Sequence, residues 1–249
     1  MTDLRAKRFF NLKRQLNLIH GIFNNVFGNV AYKYGSKEEV IKNRGKICSY
    51  LKIGIKQLYE MDQVHGRKIK IIRNKDVNKI KNNIISNTDG LITNVKNIFL
   101  MVKTADCFPI ILFDPIKKVI GVLHVGKKGL EENILLNGIK KLIKYFGVKP
   151  ENILVGIGPG IYRCCYKYKK NFQENSLIWK TFLKKENNQY KSLDLFGFII
   201  NQLAKLGIKK ENIESANICT ACSSQYFSHF RCLQKKQKEG RFATIIGMK

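Results

Sequence analysis

Four histidines and seven cysteines are few enough in this chain of 249 residues to be placed one at a time. Two of the histidines and one of the cysteines sit where apolar, β-branched runs begin or end. Gln63-Val64-His65-Gly66 precedes a run that starts at Lys68. Thr104-Ala105-Asp106-Cys107 lies between two runs, and His124 closes Val119-Ile120-Gly121-Val122-Leu123, with Gly126 just beyond. Two imidazoles and a thiolate suit a borderline-soft cation such as zinc. Three protein ligands leave a fourth position for water or substrate, the arrangement of a catalytic site. The spacing by itself leaves open whether the three side chains meet. A second reading makes Cys107 a nucleophile in a hydrolase, with His124 or His65 as base and Asp106 or Asp114 as orienting carboxylate.

Other groups have weaker claims. Gly126-Lys127-Lys128-Gly129 opens a helix, where free N–H groups, the dipole and two ammonium groups suit an anion. Lys127 and Lys128 read equally well as two more surface lysines. Cys219, Cys222, His229 and Cys232 have ligand spacing for a closed zinc module. Cys164 and Cys165 are adjacent, so their side chains are expected to diverge into core or backbone-fitting roles.

These residues need rigid elements behind them. Ser36-Lys37-Glu38-Glu39 has the form of a capping box, followed by Val40, Ile47, Cys48 and Leu51 at helical spacing and a stop at Gly54. A second helix opens at Gly129, with Leu135, Ile139, Leu142, Ile143 and Phe146 on one stripe and Gly147 as C-cap. Asp194 caps a third, with Phe196, Ile199, Ile200, Leu203 and Leu206 inward and Gly207 at its end. Strands are expected at 68–72, 90–93, 99–102, 110–113, 119–124, 153–157 and 242–246. The Lys/Asn-rich stretches 75–87 and 184–191 read as loops. Strands in succession between Ile92 and His124 point to mixed sheets with helices outside, an α+β arrangement.

The length allows one substantial core, so residues 1–249 are expected to form a single domain. A hydrophobic fraction of 44% with 26% charged residues is ordinary for a globular protein. No apolar run is long enough for a membrane span, and no signal peptide is legible at the basic N-terminus, so a cytoplasmic location is expected. A net charge of +28 invites a nucleic-acid reading. Lysine, however, outnumbers arginine about fourfold, arginine is the usual base and phosphate reader, and no basic run is interleaved with aromatics. No specific nucleic-acid partner is expected. Without a secretion signal, seven cysteines argue against a disulfide framework. Monomer and homodimer both stay open.

Taken in order, the segments resemble one family. His20-Gly21 with Phe23, Asn43-Arg44, Gln63 to Gly66, Thr88-Asp89-Gly90-Leu91-Ile92-Thr93, Thr104 to Pro109 with Asp114, His124 to Leu130, Ile157-Gly158-Pro159 through Cys164-Cys165-Tyr166, Asp194-Leu195 and Cys219-Thr220-x-Cys222 are similar to motifs of the YfiH/LACC1 family. Its members have also been labelled laccase-domain proteins or polyphenol oxidases. The resemblance implies a two-sheet sandwich flanked by helices. It also implies a zinc-dependent phosphorylase of adenosine, inosine and methylthioadenosine, with adenosine deamination as a second activity. The implied metal ligands are His65, Cys107 and His124, and the implied partners are purine nucleosides and phosphate. Gln63, Lys127, Lys128, Arg163, Arg231 and Arg241 are candidates for phosphate or substrate, since arginine is scarce here and these three arginines fall in family-like segments.

The chain departs from the family where Trp-Arg is replaced by Lys127-Lys128, where a Glu after Cys-Cys-Tyr is replaced by Lys167, and where Arg-Arg-Asp reads Phe230-Arg231-Cys232. These changes touch substrate preference and leave the metal set intact. The older label implies copper oxidation of phenols, with Met101 as a conceivable axial ligand. A multicopper oxidase also needs a three-copper cluster built on further histidines, and only His20 and His229 are left over.

Overall fold

The structure is a computed structural model that describes residues 6–77, 79–169, 177–186 and 190–249. Its strands are β1 (Ala6–Lys7), β2 (Leu18–Phe23), β3 (Leu58–Met61), β4 (Ile69–Ile72), β5 (Ile84–Ile85), β6 (Gly90–Thr93), β7 (Phe99–Thr104) and β8 (Phe108–Asp114). There follow β9 (Val119–Val125), β10 (Leu154–Ile157), β11 (Lys167–Lys169), β12 (Leu183–Lys185), β13 (Tyr190–Leu193), β14 (Ile213–Ser215) and β15 (Phe242–Met248). The helices are α1 (Phe10–Lys13), α2 (Lys37–Leu51), α3 (Lys127–Glu131), α4 (Ile134–Phe146), α5 (Leu195–Lys205) and α6 (His229–Lys235).

Side-chain alternation along the strands explains the layering. In β7, Leu100 and Val102 point into one apolar cluster while Phe99 and Met101 point into another. In β9, Ile120 and Val122 join the first of these, while Val119, Leu123 and Val125 face a third. Every residue of β8, β9 and β15 is buried. Strands covered on both faces read as continuous apolar runs rather than alternating ones. The result is two six-stranded mixed sheets, ordered β1-β2-β15-β7-β3-β5 and β14-β10-β8-β9-β6-β4. They share one core. Helix α2 covers the outer face of the first with Ile47, Cys48 and Leu51, and α4 and α5 cover that of the second with Leu135, Ile139, Leu142, Phe198, Ile199 and Leu203. A small third sheet, β11-β13-β12, stands apart. This is the expected α+β sandwich with helices outside.

Local signals act as read, with shifts at the ends. Ser36 Oγ accepts from Glu39 N at 3.2 Å, and Asp194 Oδ1 from Gly197 N at 2.9 Å, capping α2 and α5. Helix α2 ends at left-handed Lys52, two residues before Gly54. The single helix expected from Gly129 is split into α3 and α4 by Asn133, which has φ 62°. Gly147 caps α4 with φ 64°. Ile143 lies off the buried stripe of α4 and is exposed, because spacing four from Ile139 sets it on the flank once Leu142 holds the centre. The stretch 75–87, expected as a loop, carries β5, and the one at 184–191 takes in the end of β12 and the start of β13, with 187–189 outside the described residues. Among the described residues, no helix is long and apolar enough to cross a membrane.

Candidate metal centre

The second sheet brings His65 and His124 together through an aspartate. β6 pairs with β9 so that Gly90 stands opposite Leu123. Asp89, one residue before β6, therefore lies level with His124, and His124 N donates to Asp89 O at 2.8 Å. The Asp89 carboxylate is fully buried. Its Oδ1 meets His124 Nδ1 at 2.8 Å and accepts from His65 N at 2.9 Å, and its Oδ2 accepts from Gly66 N at 2.7 Å and Val64 N at 3.3 Å. Three successive amides converge on one anion with His65 at φ 59°, in the left-handed region that few non-glycine residues adopt.

Cys107 enters from the turn between β7 and β8. Asp106 holds that turn, with φ 89°. Its Oδ1 accepts from Thr220 Oγ1 at 2.6 Å, its Oδ2 from Phe230 N at 2.7 Å and its carbonyl from Ile161 N at 2.7 Å. The two rings stand 4.6 Å apart between centroids at 70°. One donor atom each from His65, Cys107 and His124 lies within 4.8 Å of the others. A Cβ added at Gly126 would stand 2.6 Å from Cys107 Sγ, so glycine is what lets the sulfur sit there.

The proton inventory follows from this packing. Burial favours the neutral Cys107 thiol, but His124 and His65 outweigh it and bring its pKa down to about 6. Burial also disfavours a charged His124, yet the Cys107 thiolate and the Asp89 carboxylate raise it to about 9. Asp89 is held below the usual carboxylate range: burial works against this, and the His124 hydrogen bond and the Gly66 amide prevail. Between about 6 and about 9 the metal-free site is thus a thiolate beside an imidazolium. A cation that takes His124 as ligand must expel that proton. Zinc binding near pH 7.5 is expected to release close to one proton per ion, and affinity is expected to climb with pH until about 9. Calorimetry in buffers of different ionisation enthalpy checks this, and a proton count near zero would contradict the assignment.

The three side chains line a cleft of about 1020 Å³ with Gln63, Lys127, Lys128 and Arg241, and with Tyr34, Tyr166, His229 and Phe230. Gln63 spends its amide on β7, donating to Lys103 O at 2.8 Å and accepting from Lys103 N at 3.0 Å. Lys127 pairs with Glu131 at 2.7 Å and the exposed Lys128 with Glu132 at 3.9 Å, so both ammonium groups have acidic neighbours. Arg241 reaches Tyr34 Oη at 2.7 Å and Glu239 at 3.0 Å. Arg163 and Arg231 do not line the cleft. Arg163 is exposed, and Arg231 spends its guanidinium on the carbonyls of Thr220, Ser223 and Tyr226.

Several expectations give way. Neither orienting carboxylate proposed for Cys107 is available: Asp106 is committed as above, and Asp114 accepts from Ile116 N and Lys117 N in its own turn. Asp89, which in the sequence is only one member of the Thr88 to Thr93 motif, takes that place. Its signal was an acid set immediately before an apolar strand. Met101 is buried in the cluster of Phe99, Ile245 and Ile47 and does not line the cleft that Cys107 lines. His20 Nε2 accepts from Phe9 N at 2.8 Å, and His229 Nδ1 pairs with Glu239 at 2.8 Å. Cys232 donates to Gln237 O at 2.7 Å. The closed set of Cys219, Cys222, His229 and Cys232 is therefore replaced: Cys219 and Cys222 group with Cys164 and Cys165. These last two do not diverge, because a turn lies between Gly160 and β11.

Residues 10–249 match the family described as multi-copper polyphenol oxidoreductase laccase. The chain is 30% identical over 219 residues to purine nucleoside phosphorylase YlmD of Bacillus subtilis, covering 85% of this chain and 78% of that one. Among solved structures, Bacillus licheniformis hypothetical protein YfiH matches with TM-score 0.81 and 26% identity over 93% of each chain. YlmD from Geobacillus stearothermophilus matches with TM-score 0.86 and 22% identity over 100% of this chain and 98% of that one.

Proposed function

We propose, from the premise that this chain belongs to the multi-copper polyphenol oxidoreductase laccase family, that it is a zinc-dependent purine nucleoside phosphorylase. Its substrates are adenosine, inosine and methylthioadenosine with phosphate, and adenosine deamination is a second activity. The observation that carries the reading is a His2Cys donor set, with one imidazole oriented by a buried carboxylate, in the wall of a large cleft. The substrate class is supported by the name of the Bacillus subtilis relative.

Zinc fits the residues. Two nitrogens and one thiolate are its usual donors, the three ligands leave a position open, and a carboxylate behind a ligating imidazole is its common support. Copper is disfavoured by the commitments of His20, His229 and Met101 to other contacts. When bound, the ion supplies Lewis acidity and lowers the pKa of water. The chain's own residues do the rest. Lys127, Lys128 and Arg241 are the cations a phosphate would draw from their partners Glu131, Glu132 and Glu239, and Tyr34, Tyr166 and Phe230 give the cleft aromatic faces for a purine. In phosphorolysis a phosphate oxygen bonds to the ribose C1′ as the bond to the base breaks. The electron pair leaves with the base, which takes up a proton.

Incubating zinc-loaded protein with inosine, with and without phosphate, tests this directly. Ribose 1-phosphate and hypoxanthine are expected only with phosphate, and chelation is expected to abolish both. Phenol-dependent dioxygen uptake by copper-loaded protein, with no nucleoside cleavage, would overturn it. A second reading draws on the line Asp89, His124, Cys107, which also has the order of an orienter, a base and a nucleophile. Full activity after chelation would favour that hydrolase. Against it stands His65, which approaches the same sulfur as a second imidazole.

A further inference from the structure

A second group of thiols lies outside the cleft. The segment after β10 carries Cys164 and Cys165, and the segment after β14 carries Cys219 and Cys222. Backbone pairing holds the two in register: Gly160 and Cys219 form a parallel bridge, Gly160 N donates to Ile218 O at 3.2 Å, and Thr220 N donates to Gly160 O at 2.9 Å.

The four sulfurs lie within 4.8 Å of one another. Cys164 is 3.9 Å from Cys165 and 3.7 Å from Cys222, and Cys165 is 3.3 Å from Cys222. A disulfide would bring two of them to about 2.05 Å. Four thiolates around one zinc at about 2.3 Å form a tetrahedron whose edges are about 3.8 Å. The separations of Cys164 from Cys165 and Cys222 match that edge, and that of Cys165 from Cys222 is about half an ångström shorter. A second observation concerns the acceptor: the backbone amide of Tyr162 donates to the Cys219 sulfur at 3.5 Å. An amide aimed at the first sulfur of a Cys-x-x-Cys turn stabilises a thiolate rather than a thiol.

We propose that Cys164, Cys165, Cys219 and Cys222 form a second metal site, a closed tetrahedral one for a single zinc-class ion. Soft thiolate ligands select zinc over hard cations, and four protein ligands leave no position for substrate, so the role is structural. The two segments it joins also hold the reactive centre in place. Ile161 and Thr220 both bond Asp106, the residue before Cys107. The ion therefore clamps the scaffold that positions the Cys107 sulfur.

Metal content of the full-length chain, prepared under reducing conditions with zinc present, separates the two sites. Non-denaturing mass spectrometry is expected to find two ions per chain in the wild type, one in Cys222→Ser, one in Cys107→Ser and none in the double variant. Cys164→Ser, at another exposed position, is the second probe of the cluster, and it too is expected to retain one ion. Cobalt-loaded Cys107→Ser is expected to show the thiolate charge-transfer and tetrahedral ligand-field bands of a four-sulfur site. A wild-type chain with one ion, lost entirely on Cys107→Ser, would overturn the proposal. So would peptide masses showing a disulfide between Cys222 and Cys164 or Cys165 in the same preparation.

Discussion

Replacing Asp89 by Asn is expected to lower zinc affinity about 10–100-fold, the usual effect of removing the outer partner of a ligating imidazole. The substitution keeps size and shape, so the loss traces to hydrogen-bond polarity. Asp89 faces donors only: the amides of Val64, His65 and Gly66 on one side and His124 Nδ1 on the other. An Asn side chain offers one acceptor oxygen and turns an NH2 group toward a donor, whichever way it is oriented. Each carboxylate oxygen serves two of those donors, so two then lose their acceptor, at up to about 1–3 kcal/mol each. The carboxylate also contributes to holding the His124 proton up to about 9, so the pH at which metal affinity levels off is expected to fall in the variant. Competition against a chromophoric chelator across a pH series measures both effects. Unchanged affinity and an unchanged profile would remove Asp89 from the site.

The other large effect lies beside the cleft. Glu60 is buried between two cations. Arg44 meets it with two nitrogens, at 2.6 and 2.9 Å, and Lys103 Nζ pairs with Oε2 while also donating to Met61 O at 2.8 Å. Glu60→Gln leaves a guanidinium and an ammonium facing each other without an anion, and breaking a buried ion pair from one side costs about 3–5 kcal/mol. Urea denaturation is expected to show a loss of that size near pH 7, partly recovered in Glu60→Gln/Lys103→Met. The pH dependence has a definite sign. Burial raises the Glu60 carboxyl, but Lys103 and Arg44 outweigh it and hold its pKa below the usual value. Its stabilisation is therefore complete above the unfolded-state value of about 4.3 and fades as pH falls through the folded value. The deficit of the variant should narrow in acid, and a constant deficit would refute the ion-pair account.

The sequence by itself determined the layers and their edges. β8, β9 and β15 are covered on both faces, and burial of that kind leaves an unbroken apolar run that needs no partner to be recognised. Ser36, Asp194 and Gly147 act within one turn of themselves, so capping is also written locally. The types of His65, Cys107 and His124, each close to the end of a strand, already marked them as a set that could hold a metal ion. The small sheet of β11, β12 and β13 is not legible in the sequence because its short strands are polar and gain their stability from cross-strand pairing.

Only the tertiary structure decided which side chains meet. Asp89 reaches His124 because β6 pairs with β9 in one register, and a shift of a single residue would turn the carboxylate to the other face. Cys165 reaches Cys222 across the bridge between Gly160 and Cys219, which no spacing along the chain announces. Periodicity reports what a residue buries against a layer. Coordination, ion pairing and proton sharing depend on sheet order and register, and those are properties of the assembled fold.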